Sequence, residues 1–354
     1  MMSRKFTLKH TWLVLALFCA FGITEVKAQD PHFSQFNAAP LQLNPAMAGV
    51  YEGQFRVGIN YRDQWGSVLG PVPFQTSAVS FDFRIHAFKD DYFAIGLSFL
   101  NDQAGEARYS MTQGNFALSY MKKIFGGRGS RYDQYLIAAG QYGFGQQGIN
   151  WNTLQFSRQF DGQDFNPSLP TGELTTDQTS MYGDLNAGVM WYGLFGKQRS
   201  AYAGIAFHHL NAPNISFNGI EQDPLYRRYT FHGGGEYPIN RGLTILPSAN
   251  LQSQGPSFQT VAGAALRFST REWDEFAIRF GGYGRIAGRF DGGVLTDAAI
   301  IYTALEWHDW ILGLNFDTNV SSLSAISGGR GAFELSLTYT SPPARRQGMF
   351  CPVF

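Results

Sequence analysis

The stretch FAIGLSF, residues 93–99, places a large apolar side chain at every second position and a small or polar one between them. Along an extended chain, Phe93 and Leu97 share one face, whereas Ala94 and Ser98 share the other. An amphipathic helix would instead repeat its apolar residues at every third or fourth position. The period of two therefore predicts a β-strand with one apolar face.

The same alternation returns between about residue 54 and about residue 339. Segments of about ten residues with alternating hydrophobicity are typical of a transmembrane β-barrel, which has lipid outside and a polar lumen. Because no backbone N–H or C=O can stay unpaired in hydrocarbon, such a sheet must close on itself. We therefore predict an all-β fold, a transmembrane antiparallel β-barrel over residues 54–340. About fourteen strands are expected, at 54–64, 74–85, 92–101, 108–122, 134–147, 180–195, 200–210, 228–239, 244–254, 257–269, 276–287, 294–306, 310–319 and 332–340.

The predicted connections are mostly long at one end of the barrel and short at the other. Bacterial barrels have short periplasmic turns and longer outer loops. With the N-terminus in the periplasm, the outer loops include 65–73, 148–179, 211–227 and 320–331, and the inner turns include 86–91, 196–199, 240–243 and 307–309. A long inner turn at 123–133 and a short outer one near 255–256 are exceptions.

The first 28 residues have the pattern of an export signal. Arg4, Lys5 and Lys9 form a basic region, an apolar run follows over residues 12–23, and residues 26–28 form a small-x-Ala cleavage site. We therefore expect a cleaved signal peptide over residues 1–28 and an outer-membrane location.

The segment between this signal and the first strand does not alternate. Residues 29–53 include Pro31, Pro40 and Pro45 and are too hydrophobic for a free tail. We expect an ordered N-terminal segment packed in or under the barrel, with a flexible leader as the alternative. Residues 341–354 are predicted to form a C-terminal periplasmic tail.

Charge and cysteine content exclude some functions. The predicted signal peptide holds four of the 27 Lys and Arg residues and one of the 27 Asp and Glu residues, so the mature chain carries a net charge near −3. Nucleic-acid binding would call for a basic field, so no nucleic-acid partner is expected. Cys351 is the one cysteine left, so no intrachain disulfide can form.

Basic residues gather in the predicted inner turns and in the tail. They can contact phospholipid headgroups of the inner leaflet, or part of this basic rim can dock a periplasmic partner. The candidate partner-binding residues are Lys122, Lys123, Arg128, Arg131, Arg345 and Arg346.

Motifs for catalysis are weak in this chain. Residues 143–148 match the dinucleotide pattern G-x-G-x-x-G, but no helical pattern follows, so alternating glycines on a strand explain the match. His208 and His209 are adjacent and should point to opposite faces of a strand, which does not suit a shared metal ion. Some outer-membrane barrels are hydrolases, and Asp184 on a strand could meet His209 in space, but nothing in the sequence places the two together. We expect no catalytic residues, no cofactor and no metal.

Several short motifs, in order along the chain, resemble the PorP/SprF family of Bacteroidota outer-membrane proteins. They are Phe33-Ser-Gln-Phe36, Ala39-Pro-Leu41, Leu43-Asn-Pro-Ala46 closing on Gly49, Asn60-Tyr-Arg-Asp-Gln-Trp65, Asn101-Asp102 with Ala104-Gly105, His209-Leu-Asn-Ala-Pro-Asn214, and Cys351-Pro352 with the final Phe354. The position of Asp63 often holds Asn in such relatives.

This resemblance implies a barrel of the type IX secretion and gliding machinery that is not an enzyme. The implied partners are the C-terminal domain of an exported adhesin, a periplasmic peptidoglycan-binding lipoprotein and outer-membrane lipid. The resemblance implies no catalytic residues. A passive porin-like channel is the alternative function, and an outer-membrane hydrolase is the third.

Overall fold

The computed structural model describes residues 30–70, 72–88, 90–126, 132–173, 179–196, 199–217, 222–269, 276–288 and 293–342. The predicted signal peptide over residues 1–28 and the predicted tail from residue 343 onward lie outside these ranges. Within them, no helix has both the length and the apolar character that a membrane crossing needs.

Fourteen antiparallel strands form one closed barrel, in which each strand pairs with its neighbours in sequence and β1 pairs with β14. This confirms the predicted fold and strand number, and the strand ends differ from the predicted ones by at most three residues. The strands are β1 Phe55–Gln64, β2 Phe74–His86, β3 Tyr92–Ala104, β4 Tyr109–Phe125, β5 Gln134–Gly148, β6 Thr179–Leu194, β7 Ser200–His208, β8 Arg228–Pro238, β9 Leu243–Gln254, β10 Ser257–Ser269, β11 Phe276–Gly288, β12 Val294–Trp307, β13 Trp310–Asn319 and β14 Arg330–Thr340.

The alternation of side chains separates a membrane face from a lumen face. On β3, Leu97 and Phe99 are exposed on the outside, while Ser98 between them is buried in the lumen. On β1, Ile59 is exposed, whereas Asn60 and Arg62 are buried. The apolar outer face suits lipid, and the polar residues gather inside, where they can bond to one another.

The two ends of the barrel differ in the length of their connections. One end carries the connections after β1, β5, β7 and β13, including the long segment between Gly148 and Thr179. The other end carries shorter turns, such as the two residues between Trp307 and Trp310. We call these the long-loop end and the short-turn end; the sequence predicts that the first faces the outside and the second the periplasm.

The helices in the described part of the chain are short, and none of them forms part of the barrel wall. The α-helices are α1 Pro40–Leu43, α2 Gly66–Leu69 and α3 Ser324–Ser327, and the 3₁₀ turns are Phe36–Ala38, Pro45–Met47, Trp151–Thr153 and Ser157–Gln159. Three of these elements, α1 and the two 3₁₀ turns beside it, belong to the segment that precedes β1.

Candidate functional site

The segment that precedes β1 lies inside the lumen, and we call residues 31–53 the plug segment. Pro40 and Pro45 each begin a short helical turn, where the missing N–H of proline has no cost. Asn44 separates the two turns, and its Oδ1 accepts a hydrogen bond from Ala46 N at 2.8 Å. These short turns explain why the segment shows no strand periodicity.

The first anchor of the plug segment is a set of buried charges that we call the Arg62 cluster, made of Arg62, Arg285, Asp317 and Glu334. Ser34 N donates to Glu334 Oε1 at 2.6 Å, and Ser34 Oγ donates to Asp317 Oδ2 at 2.7 Å. Ser34 Oγ in turn accepts from Arg62 Nη1 at 2.9 Å and from Arg285 Nη1 at 3.0 Å. One serine is thereby held by strands β1, β11, β13 and β14.

The charges of this cluster are paired with one another. Arg62 Nη1 lies 3.2 Å from Asp317 Oδ2 and also forms an ion pair with Glu334. Arg285 Nη1 lies 2.7 Å from Asp317 Oδ2, and its Nε donates to Asp297 Oδ2 at 2.7 Å. Buried charges are tolerated when they are paired and hydrogen-bonded, and here the backbone of the plug segment supplies part of that bonding.

The second anchor is Asn44, which is fully buried between β6, β7 and β8. Its Nδ2 lies 3.3 Å from the carbonyl oxygens of Val189 and Ile205 and 2.9 Å from His232 Nε2. A Cβ at Gly188 would overlap Asn44 Oδ1, so the wall residue beneath this side chain has to be glycine.

The third anchor lies toward the short-turn end, where the plug segment approaches β1. Gly49 N donates to Asp82 Oδ2 at 2.8 Å, and Arg56 Nε donates to Asp82 Oδ1 at 3.0 Å. Arg84 donates to the carbonyl oxygens of Tyr51 and Gly53, both at 3.0 Å. Gly49 has φ +79°, and a Cβ there would overlap the Ala94 side chain, which requires glycine at this turn.

The plug segment does not fill the whole lumen. A cavity remains beside it, lined by residues of the plug segment and of strands β7 to β14. Tyr202, Tyr283 and Tyr302 line this cavity, and Arg279 contributes a charge that is paired with Glu306. Arg267 Nη2 lies 2.6 Å from the other Glu306 oxygen, Oε2.

The basic residues predicted as a docking rim are described only in part. Lys122 Nζ lies 2.9 Å from Asp91 Oδ2 and its side chain is 56% exposed. Lys123 Nζ lies 3.0 Å from Asp133 Oδ1, with its side chain only 11% exposed. Lys122 is therefore accessible and Lys123 is mostly buried. The other four predicted residues, Arg128, Arg131, Arg345 and Arg346, lie outside the described residues.

Asp91 lies in the turn between β2 and β3 and holds the short-turn end together. Burial disfavours its charged form, but hydrogen bonds from Lys122 Nζ, from the Tyr120 hydroxyl and from Lys123 N outweigh that cost and lower the pKa of Asp91.

The prediction that His208 and His209 face opposite sides is wrong. Strand β7 ends at His208, and His209 adopts a left-handed backbone conformation with φ +57°, so both side chains are buried and their ring centres lie 6.3 Å apart. His209 Nδ1 lies 3.0 Å from Asp184 Oδ2, so the structure does bring together the two residues considered for a hydrolase. The side chains of His209 and Asp184 are only 2% and 4% exposed, which closes the pair to a substrate.

The glycine pattern at 143–148 lies on β5, as the strand interpretation predicts. A Cβ at Gly143 would overlap the Asn115 side chain, and one at Gly145 would overlap the Tyr182 ring. The glycines make room for lumenal side chains of neighbouring strands. Among the residues that the structure describes, no group of three or more His, Cys, Asp or Glu side chains is placed to hold a metal ion.

None of the anchors stands out as a functional residue in the sequence, although three of the family motifs contain anchor residues. The motif at 33–36 includes Ser34, and the motif at 60–65 includes Arg62, which bonds to Ser34. The motif at 43–46 includes Asn44. The other residues of the Arg62 cluster lie outside these motifs. For Asp317 and Glu334, the signal in the sequence was a charge at an inward position of a predicted strand.

Comparison with known proteins places these features in a family. The family described as "Type IX secretion system membrane protein PorP/SprF" matches residues 25–339. No curated protein matches the chain. Among solved structures, the "CymD monoaromatic hydrocarbon channel" is similar with 8% identity and a TM-score of 0.50, over 86% of this chain and 93% of that one. The "TodX monoaromatic hydrocarbon channel deltaS2 mutant" has 11% identity and a TM-score of 0.49, over 85% and 93%. Identities this low speak for the barrel fold alone.

Proposed function

Because the chain belongs to the PorP/SprF family of type IX secretion system membrane proteins, we propose that it is a docking and anchoring barrel of the secretion and gliding machinery in the outer membrane. The observation that carries this proposal is the lumen, which is occupied by a plug segment bonded to strands on several sides of the barrel. A barrel held shut by its own chain suits a scaffold better than a conduit for solutes.

On the outer side, the proposed partner is the C-terminal domain of an adhesin exported by the type IX system. The long-loop end offers the larger surface, since the connection between β5 and β6 alone runs from Gly148 to Thr179. Part of it is locally ordered: Asp161 Oδ1 accepts hydrogen bonds from the backbone N–H groups of Gln163 and Asp164, both at 2.9 Å. These bonds lower the pKa of Asp161, so the loop keeps its negative charge.

On the inner side, the proposed partner is a periplasmic peptidoglycan-binding lipoprotein that docks on the basic rim. Lys122 supports this docking because its side chain is exposed at the short-turn end. Charge reversal of Lys122, Lys123, Arg128 and Arg131 should remove a copurifying periplasmic protein. Reversal of Lys122 alone should weaken its capture more than reversal of the mostly buried Lys123 in a background that still folds. Unchanged capture by the fourfold variant would end the docking proposal.

A deletion strain tests the assignment to the secretion machinery. Loss of the protein should abolish surface display of a dedicated adhesin while general type IX secretion persists, or should abolish type IX secretion as a whole. The first outcome identifies an adhesin-attachment role and the second a role in the core machine. Normal display of every type IX substrate in the deletion strain would contradict both.

A passive channel is the second candidate function, and the cavities in the short-turn half of the lumen favour it. One of them reaches the turn residues His308 and Asp309. Single-channel recordings of the purified protein separate the two functions. Large and steady conductance supports a pore, whereas a silent barrel supports docking.

An outer-membrane hydrolase is the third candidate, because Asp184 and His209 are paired. It predicts esterase or protease activity that disappears on changing either residue. The closed environment of the pair argues for a structural role, in which it ties the end of β7 to β6.

A further inference from the structure

The cavity that reaches the turn between β12 and β13 lies in the short-turn half of the lumen, and we call it the vestibule. It is lined by residues of the plug segment, of β1, β2, β10 and β12 to β14, and of that turn. In the turn, His308 is exposed and Asp309 is half-buried, so these two residues mark the mouth of the vestibule. Its volume, ≈ 220 Å³, is many times the ~10–15 Å³ that one water molecule needs, so the vestibule has room for a side chain.

The cations that line the vestibule are paired with carboxylates. Arg56 Nη2 lies 2.9 Å from Asp82 Oδ2, and Arg267 Nη2 lies 2.6 Å from Glu306 Oε2. These pairs compensate each other's charges, so the other charged groups of the lining decide which ligand the vestibule attracts.

The other charged groups are two carboxylates, those of Glu52 and Asp309. Among the described residues, neither carboxylate has a hydrogen-bond or ion-pair partner. Burial raises the pKa of Glu52, and the charge of Arg84 offsets only part of that effect. A nearby cation favours the charged form of such a carboxylate. The mouth of the vestibule is therefore suited to a positively charged group.

The chain leaves the barrel beside both carboxylates. Thr340, near the end of β14, lines the vestibule, and its N donates to Asp309 O at 2.9 Å. The next residue, Ser341, lies against the residue that follows Glu52, since a Cβ at Gly53 would overlap Ser341 O. Whatever follows Ser341 thus begins next to the mouth of the vestibule.

The residues that follow carry the complementary charge. Residues 343–354, which lie outside the described residues, include Arg345 and Arg346 but no Asp or Glu. Arg345 comes four residues after Ser341, and an extended chain advances by about 3.3–3.6 Å per residue, so both arginines can reach the mouth of the vestibule. We propose that this tail folds back onto the barrel, where Arg345 and Arg346 bind the carboxylates of Glu52 and Asp309.

This inference does not depend on the proposed secretion role, but it affects the basic rim. Arg345 and Arg346 belong to the predicted docking residues. While the tail occupies the vestibule, these two arginines bind the barrel itself. A periplasmic partner that needs them has to displace the tail, whereas the basic residues between 122 and 131 stay available.

Disulfide formation in the purified full-length protein tests the inference. All variants carry Gln347→Cys in the tail and Cys351→Ser, which removes the native thiol of the tail. The second cysteine is either Thr338→Cys, which lines the vestibule, or Gln54→Cys, which is exposed and does not line it. Gln54 is an equally close control, because Gln54 N donates to Ser341 Oγ at 3.0 Å.

We expect at least fivefold more disulfide, mapped by mass spectrometry after mild oxidation, with Thr338→Cys than with Gln54→Cys. A tail that does not bind the vestibule would reach the exposed position more readily than the lumenal one. An equal or larger yield with Gln54→Cys would overturn the inference.

Reversal of the tail charges tests what holds the tail. Arg345→Glu with Arg346→Glu should abolish the preference for Thr338→Cys, because like charges repel at the mouth of the vestibule. These substitutions lie outside the barrel strands, so the barrel should fold as before. An unchanged preference would contradict the proposed ion pairs.

Neutral variants of the vestibule test the same contact from the other side. Glu52→Gln with Asp309→Asn should lower the preference for Thr338→Cys at least threefold. The control is Asp164→Asn with Glu173→Gln, which removes two exposed carboxylates from the long-loop end and should leave the preference unchanged. Heat-modifiable gel migration reports folding. A full preference in folded E52Q/D309N contradicts the site; if that variant does not fold, the arginine variants decide.

A segment of a periplasmic protein is the alternative occupant of the vestibule. Modification of Thr338→Cys by N-ethylmaleimide, in outer-membrane fragments and in the purified protein, distinguishes the two occupants. Protection that survives purification and is lost in R345E/R346E supports the tail. Protection that is lost on purification whatever the tail sequence assigns the vestibule to another protein and overturns the inference, as does the absence of protection in both preparations.

Discussion

Arg62 on β1 donates a hydrogen bond from Nη1 to the hydroxyl of Ser34 in the plug segment, at 2.9 Å. Both residues are buried, and each belongs to a motif that the sequence analysis used for family resemblance. The two motifs thus contact each other in the folded protein, where one lies on the inner face of the barrel wall and the other in the plug segment.

Replacement of Arg62 with Met should destabilise the barrel by about 3–5 kcal/mol, because it leaves the buried carboxylates of Asp317 and Glu334 with one cation fewer. Urea unfolding in detergent micelles measures the loss. The double variant R62M with Glu334→Gln should be less destabilised than R62M, since the amide needs no counter-charge. Equal losses in the two proteins would contradict a charge-based role for Arg62.

Gly188→Ala should loosen the plug segment, because its new Cβ would overlap Asn44 Oδ1. We expect single-channel conductance to rise above that of the wild-type protein. Gly140→Ala is the control, since a Cβ there meets nothing within 4 Å. Identical recordings from all three proteins would mean that Asn44 does not hold the lumen shut.

Arginine at Leu97 or Leu314, which are exposed on the membrane face, should cost about 2–4 kcal/mol. Thr338→Arg is a suitable lumenal control, because Thr338 lines the cavity, and it should cost much less. Asn315 would be a poor control, since it bonds to Asp317 and contacts Gln35. Unfolding titrations in lipid vesicles measure the three costs, and equal values would refute the separation of faces.

Asp91→Asn should lower the melting temperature in a pH-dependent way. The folded-state pKa of Asp91 is lowered, so its stabilising effect is fully present above its unfolded pKa, about 3.9, and is lost as the pH falls through the folded value. The difference in melting temperature between wild type and D91N should thus be full at pH 7 and shrink as the pH falls below about 4. Asp90→Asn, on an exposed neighbour, serves as the control. A pH-independent difference would show that the charge of Asp91 is not involved.

The barrel could be predicted because its signal is local. Alternation within ten residues gives the strand, its faces and its ends, and closure follows from the need to pair every backbone group. The inward charges were also visible as charges at inward positions. Their partners were not, because Ser34 and Glu334 lie 300 residues apart and no periodicity connects them.

Other features depend on tertiary contacts or on single backbone angles. The left-handed conformation of His209 reverses a side chain that strand parity sends outward. Pairing between β8 and β9 is interrupted where Pro247 lies opposite Gly235, and this alignment is known only once the register is known. The sequence therefore predicts the strands of the barrel wall but not the contacts inside the lumen.

The hydrogen bonds that Ser34 N and Gln35 N donate to Glu334 on β14 affect the order in which the barrel and its plug segment fold. Glu334 belongs to the last strand of the chain and Arg62 to the first, so the Arg62 cluster, the first of the three anchors, spans the seam where the barrel closes. This anchor is complete only when the final strand is in place, whereas the bonds of Asn44 and Gly49 need only β2 and β6 to β8. A barrel that closed before the plug segment had entered would leave that segment outside the lumen.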